Sequence, residues 1–239
     1  MRGTGVFLRA LGDDPRGAAK RASDHGLSWV ALMAIGLVGD PPRDHRQELG
    51  PIADHGQAFR EAGIDPWVWF FPLANAPAKA ASFAGEALRA CGGSGLILDV
   101  ERPYSGRPKA CRRLVAASLD ELGEEQGIAT TSYPLSRFHP ALPWESMVAG
   151  TGMPQTYTIP PDWARRAVRE WRARGHGSVV PIGPAYGPRS GGRLLDYLRE
   201  AYVDGDAPIV EGIGVWSWPQ LSLREWRALE VVSSWFAIR

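Results

Sequence analysis

Residues 95–104 read GLILDVERPY: an apolar run that ends on two carboxylates, Asp99 and Glu101, and then on a proline. The run is too short for a buried helix, and Gly and Pro bound it, so it reads as a buried strand. Before it lies APAKAASFAGEALRACGG (76–93), helical in composition with a glycine stop. After it lies KACRRLVAASLDELGEEQG (109–127), helical again and again closed by Gly. The stretch is thus a strand set between two helices, and the same alternation continues in both directions.

Toward the N-terminus the strand-like runs are TGVFLRAL (4–11), LSWVALMAIG (27–36) and PWVWFFP (66–72). Toward the C-terminus they are IATTSYP (128–134), TGMPQTYT (151–158), SVVPIGPAYG (178–187) and GIGVWSWPQ (212–220). Each is followed by a helical stretch, the poorest being PWESMVAG (143–150) after the fifth strand. Eight strand-helix units in 239 residues predict a parallel α/β architecture, a single (β/α)8 TIM barrel over residues 1–239. The alternative, an open doubly wound sheet, usually carries a Gly-rich phosphate loop after its first strand, and ALGDDPRG (10–17) does not fit that pattern.

Bulk properties narrow the function. The chain is 44% hydrophobic with a formal net charge of +1, so one sizeable core is expected and no nucleic-acid partner. No apolar stretch suits a signal peptide or a membrane span, so the expected location is the cytoplasm on synthesis, with release by lysis or a dedicated route if the protein works outside. Cys91 and Cys111 read as small core residues, with a disulfide left open. The five histidines have no zinc spacing and no G-x-S-x-G occurs. No cofactor and no metal are expected. A Mg2+ or Ca2+ hydrolase would need Asp13, Asp14 or Asp40 beside Asp99 and Glu101. Nothing in the sequence assigns an oligomeric state.

In such barrels the active site lies at the C-terminal ends of the strands. Side chains at i and i+2 of a strand share a face, so Asp99 and Glu101 should stand together at the mouth. Like charges that close resist double ionisation, and one pKa should rise. An acid beside an anion is the arrangement that glycoside hydrolysis uses. An isolated D-x-E is more often a rim ion pair, with Arg102 or Arg9 as partner; its place at the end of the fourth strand turns the reading toward a site. Other strand ends add Trp67, Trp69 and Phe71, then Ser132 and Tyr133, Gln155 and Tyr157, Tyr186, and Trp216 and Trp218. Of these, Tyr157, Gln155, Trp216, Trp218, Tyr133, Trp69 and Tyr186 are the candidate glycan-binding residues, since aromatic faces stack on sugar rings. Ten tryptophans in one chain raise the question of how many serve a site and how many the core.

Three motifs, LILDVE, GMPQTY and GVWSW, resemble the barrel glycosidases of glycoside hydrolase families 18 and 25, the chitinase and lysozyme types. The resemblance implies that Glu101 is the proton donor and Asp99 its partner, orienting a substrate acetamido group. It implies that Tyr157 touches the acetamido group and that Trp216 forms the floor. The chain keeps only the last two acids of the longer chitinase motif, and it has Arg9 where lysozyme-type barrels carry an Asp on strand one. Two functions stay open: cleavage of a polysaccharide or oligosaccharide containing N-acetyl sugars, chitin-like or peptidoglycan, or glycan binding without cleavage, as in part of a phage-type assembly. The i, i+2 spacing is compatible with retaining and with inverting geometry.

Overall fold

The computed structural model describes residues 1–9, 11–12, 14–34, 49–185, 194–205 and 207–236. Its strands and helices alternate: β1 (Gly3–Leu8), α1 (Pro15–Asp24), β2 (Trp29–Met33), α2 (Leu49–Glu61), β3 (Asp65–Phe70), α3 (Pro77–Cys91), β4 (Gly95–Asp99), α4 (Pro108–Asp120), β5 (Gly127–Ser132), β6 (Thr151–Pro154), α5 (Pro161–Ala173), β7 (Ser178–Val179), β8 (Ile182–Pro184), α6 (Leu194–Tyr202), β9 (Val203–Asp204), β10 (Ala207–Pro208), β11 (Gly212–Trp216) and α7 (Leu223–Ser234). Nine strands form one parallel sheet in the spatial order β7-β6-β5-β4-β3-β2-β1-β11-β8, and β9 and β10 pair as a separate antiparallel ribbon. The outermost strands, β7 and β8, are neighbours in sequence, separated by Val180 and Pro181. A parallel bridge from Gln155 to Ile182 links the end of β6 to β8.

Two departures from the sequence expectation have simple causes. The run 178–187 is broken because Pro181 has no N–H to give to a ladder; β7 pairs with β6, and β8 pairs with β11. No α-helix lies between β5 and β6, where the expected helical piece is a single 3-10 turn, Trp144–Ser146. Trp144 seals that segment by packing on Trp171 of α5 and donating its indole N–H to the His139 carbonyl at 3.0 Å.

The strands are apolar along their whole length because both faces are covered. On β4, Leu96 and Leu98 belong to the core beneath the helices, with Val100 just beyond, whereas Ile97 belongs to a second core together with Phe7, Trp29, Ala31, Trp67, Trp69, Ala129, Met153, Val180 and Ile182. These alternate positions lie on the side of the curled sheet away from the helices. Two indoles fill its N-terminal half, and glycines make room for them. A Cβ on Gly5 would lie 2.0 Å from the Trp29 ring, and one on Gly214 would lie 2.9 Å from it. A Cβ on Gly127 would lie 2.7 Å from Trp67.

The helices are set by local signals. Asp14 caps α1, accepting from the Gly17 N–H at 2.8 Å. Ser222 and Glu225 form a capping box on α7. Gly92, at φ 58°, ends α3 in the left-handed conformation that glycine adopts without penalty. Cys91 and Cys111 are free and buried. Asp13, Asp40 and Tyr186 lie outside the described residues. Among the described residues, no helix is long and apolar enough to cross a membrane.

The fit between Gly5 and Trp29 is directly testable. Gly5→Ala is expected to destabilise the fold by about 1–3 kcal/mol through overpacking. Trp29→Phe in the same chain should return part of that loss, which guanidinium unfolding of the single and double variants would measure.

Candidate functional site

At the C-terminal ends of the strands lies a cavity of about 260 Å³. Phe7, Arg9, Met33, Trp69, Phe71, Asp99, Glu101, Thr131, Gln155, Tyr157, Ile182 and Trp216 line it. Register explains the gathering: Asp99 pairs with Thr131, and Met33 with Trp69, so neighbouring strands bring side chains to the same level.

β4 ends at Asp99, and the chain turns through Arg102–Tyr104, with Pro103 as its second residue. Asp99 is buried and Glu101 half-buried. One nitrogen serves both carboxylates: Gln155 Nε2 donates to Asp99 Oδ1 at 3.0 Å and to Glu101 Oε1 at 2.9 Å. The Tyr157 hydroxyl donates to Gln155 Oε1 at 2.9 Å, which fixes the orientation of the amide. Trp69 Nε1 donates to Asp99 Oδ2 at 3.3 Å. Among the described residues neither carboxylate has an ion-pair partner. The rim ion pair with Arg102 or Arg9 is therefore not formed.

Burial, and secondarily the charge of Glu101, hold the Asp99 carboxyl well above its ordinary range; the Trp69 and Gln155 donors oppose this only in part. Asp99 thus keeps its proton at a pH where an exposed carboxyl has lost it. Tyr133 stacks on His139, with centroids 3.5 Å apart and planes 8° from parallel. Burial raises its phenol pKa, and the negative charge of Glu101 raises it further. The aromatic wall is built from Trp216, which meets Trp69 edge to face at 5.0 Å and lies 6.2 Å from Tyr157 with the rings 21° apart. The peptide between Trp216 and Ser217 is cis.

Six of the nine candidate catalytic and glycan-binding residues therefore meet: Asp99, Glu101, Gln155, Tyr157, Trp69 and Trp216 all line the cavity, as does Phe71 from the strand ends, and Tyr133 stands beside Glu101. Trp218 does not line it. β11 ends at Trp216, the chain enters a 3-10 turn at Trp218–Gln220, and the strand alternation that would have aimed Trp218 inward no longer applies. Its ring packs instead against Trp226 at 4.7 Å and Phe59 at 6.4 Å, toward α7 and α2. Tyr186 falls outside the described residues. Phe7, Met33 and Thr131 line the cavity without having stood out in the sequence; the only signal for them is alternation, Phe7 two before Arg9 and Thr131 level with Asp99. Among the described residues no three His, Cys, Asp or Glu side chains are placed to hold a metal ion.

No family model and no curated protein matches this sequence. Solved structures do. The fold is one shared with glycoside hydrolases. A GH18 chitinase from Pseudoalteromonas aurantia aligns with a TM-score of 0.69 at 13% identity, over 97% of this chain and 99% of that one. The Bacillus cereus spore cortex-lytic enzyme SleL aligns with a TM-score of 0.65 at 10% identity, over 95% of this chain and 73% of that one. GH5_18 from Streptomyces cattleya, in complex with GlcNAc, aligns with a TM-score of 0.69 at 13% identity, over 100% and 82%.

The raised Asp99 carboxyl has a consequence for stability. In the unfolded chain Asp99 ionises in the usual range, while in the fold it holds its proton, so ionisation is penalised only in the folded state. Stability should fall as pH rises from the ordinary carboxylate range to the folded pKa, by about 1.4 kcal/mol per pH unit across that window. Asp99→Asn should flatten this slope, which thermal unfolding of both proteins from pH 4 to pH 9 would detect.

Proposed function

We propose that this protein is a glycoside hydrolase-type barrel acting on a glycan that contains N-acetyl sugars, chitin-like or peptidoglycan, with Glu101 as the acid. The single observation that carries the reading is the bridged pair: Asp99 and Glu101 share the Gln155 amide inside a cavity walled by Trp69, Tyr157 and Trp216. In this reading eight strands form a complete ring, with β7 and β8 as one strand broken at Pro181, and the whole chain is one domain. The shared fold with a chitinase and a cortex-lytic enzyme supports the class without fixing the substrate.

The chemistry then runs as follows. A sugar ring rests on Trp216, and its acetamido group displaces Gln155 from the carboxylates. Asp99 passes its proton to Glu101, accepts from the acetamido N–H, and so holds the acetamido oxygen against the anomeric carbon. Glu101 gives its proton to the glycosidic oxygen as the bond to the anomeric carbon breaks, and the acetamido oxygen takes up the vacated position. Water then opens that intermediate and returns a proton to Glu101. Tyr157, released from Gln155, can bond the same acetamido group.

Binding without turnover is the second reading. The observation in its favour is the same amide, which caps both carboxylates and must leave before either can work.

Reducing-end release from chitin oligosaccharides and purified peptidoglycan separates the two readings. A hydrolase should lose about 10²–10⁴-fold in turnover in Glu101→Gln, the share a general acid supplies. Its affinity should stay nearly unchanged. No turnover by the wild type on either substrate, with binding retained, would leave the binding barrel as the function.

Tyr157→Phe removes the brace on the Gln155 amide together with a bond to the acetamido group. Without its hydroxyl, Gln155 loses one fixed partner, and the variant is expected to change glycan affinity by less than about tenfold, on the scale of one hydrogen bond. Calorimetry on the Glu101→Gln background measures this.

A further inference from the structure

Arg9 follows β1 directly, shares the inward face with Phe7 two residues earlier, and lines the same cavity as Asp99 and Glu101. Among the described residues it is the only basic side chain lining that cavity. It is exposed and makes no ion pair or hydrogen bond with any other described residue. The site therefore holds a guanidinium that none of its own carboxylates uses. In the sheet β2 and β3 separate β1 from β4, where Asp99 ends the strand, and β11, which ends in Trp216, is the other neighbour of β1; Glu101, Tyr157 and Trp216 line the same cavity. A neutral sugar offers this cation no counter-charge, whereas its planar fork fits a carboxylate with two parallel hydrogen bonds.

From this arrangement we infer that the cavity is selective for an acidic glycan, one whose ring at Trp216 carries a carboxylate that Arg9 receives. The inference rests on the glycan-site reading and narrows its substrate class from N-acetyl sugars in general to those with an acid group in reach of β1. A lactyl ether on a muramic-type sugar and the carboxyl of a uronic acid offer the same chemistry. The bound acid would sit on the β1 side, away from Glu101, so its charge would not oppose the acid pair. The Asp99 proton works in the same direction by lowering the negative charge that an acidic ligand meets.

The test is calorimetry on Glu101→Gln, which keeps the cavity and stops turnover. The ligands are the N-acetylglucosaminyl-N-acetylmuramic acid disaccharide, a hyaluronan tetrasaccharide, the carboxyl-reduced form of each, and diacetylchitobiose. At low salt, one of the two acids should bind about ten- to hundredfold tighter than its reduced form, the range of a charge-assisted hydrogen-bonded pair. Which acid responds identifies the source of the carboxylate. The preference should shrink as salt is raised, and Arg9→Gln in the same background should bring acid and reduced form within about twofold of each other. Equal binding of acid and reduced forms, binding of chitobiose alone, or a preference that survives Arg9→Gln would overturn the inference while leaving the glycan site standing. If none of the five ligands binds, the glycan-site reading falls with it.

Discussion

Space inside the curled sheet is the constraint on which the rest depends. Its N-terminal half must be solid for the C-terminal half to be a cavity, and two indoles make it solid. Trp29 and Trp67 are too large for an interior with side chains at every inward position. Gly5 and Gly214 give up their side chains to Trp29, and Gly127 gives up its side chain to Trp67. One large residue beside several absent ones fills the volume in fewer pieces than a ring of medium residues would. Above this plug, Phe7, Trp69 and Trp216 form the floor and wall on which the polar groups stand.

The polar groups are held by donors rather than by counter-charges. Two carboxyls this close would repel if both were ionised, and no described cation neutralises them. The fold answers with a shared amide, an indole N–H and a retained proton on Asp99. A tight ion pair would have locked the pair in place. A neutral amide satisfies it without bringing a counter-charge into the cavity.

Much of this was legible in the sequence because strands and helices alternate so regularly. The glycine stop before β4 and the apolar run ending in D-x-E give the position of the acid pair directly. Gln155, Tyr157 and Trp216 were legible because each sits at or just past a strand end. Trp218 was misread because strand alternation was extended past the point where β11 ends. The split of the seventh strand at Pro181 was hidden in a run that is apolar on both sides of the proline. The role of Trp29 and Trp67 as filler was also hidden, since it depends on glycines from strands far away in the sequence, and only the register brings them together. The missing helix after β5 is a local matter: PWESMVAG has a proline and a glycine at its ends and too few residues between them to make more than one turn.

The break at Val180 and Pro181 leaves a seam. On one side β7 is joined to β6 by only two paired residues, and on the other β8 is joined to β11 by three, whereas β2 and β3 share five. Strands stitched by so few hydrogen bonds open first when a fold breathes. Gln155 stands on this seam, bridged to Ile182 through its backbone while its side chain holds the two acids. Local opening there and release of the carboxylates thus involve the same residue, so a guest that secures the acids would also darn the weakest edge of the sheet.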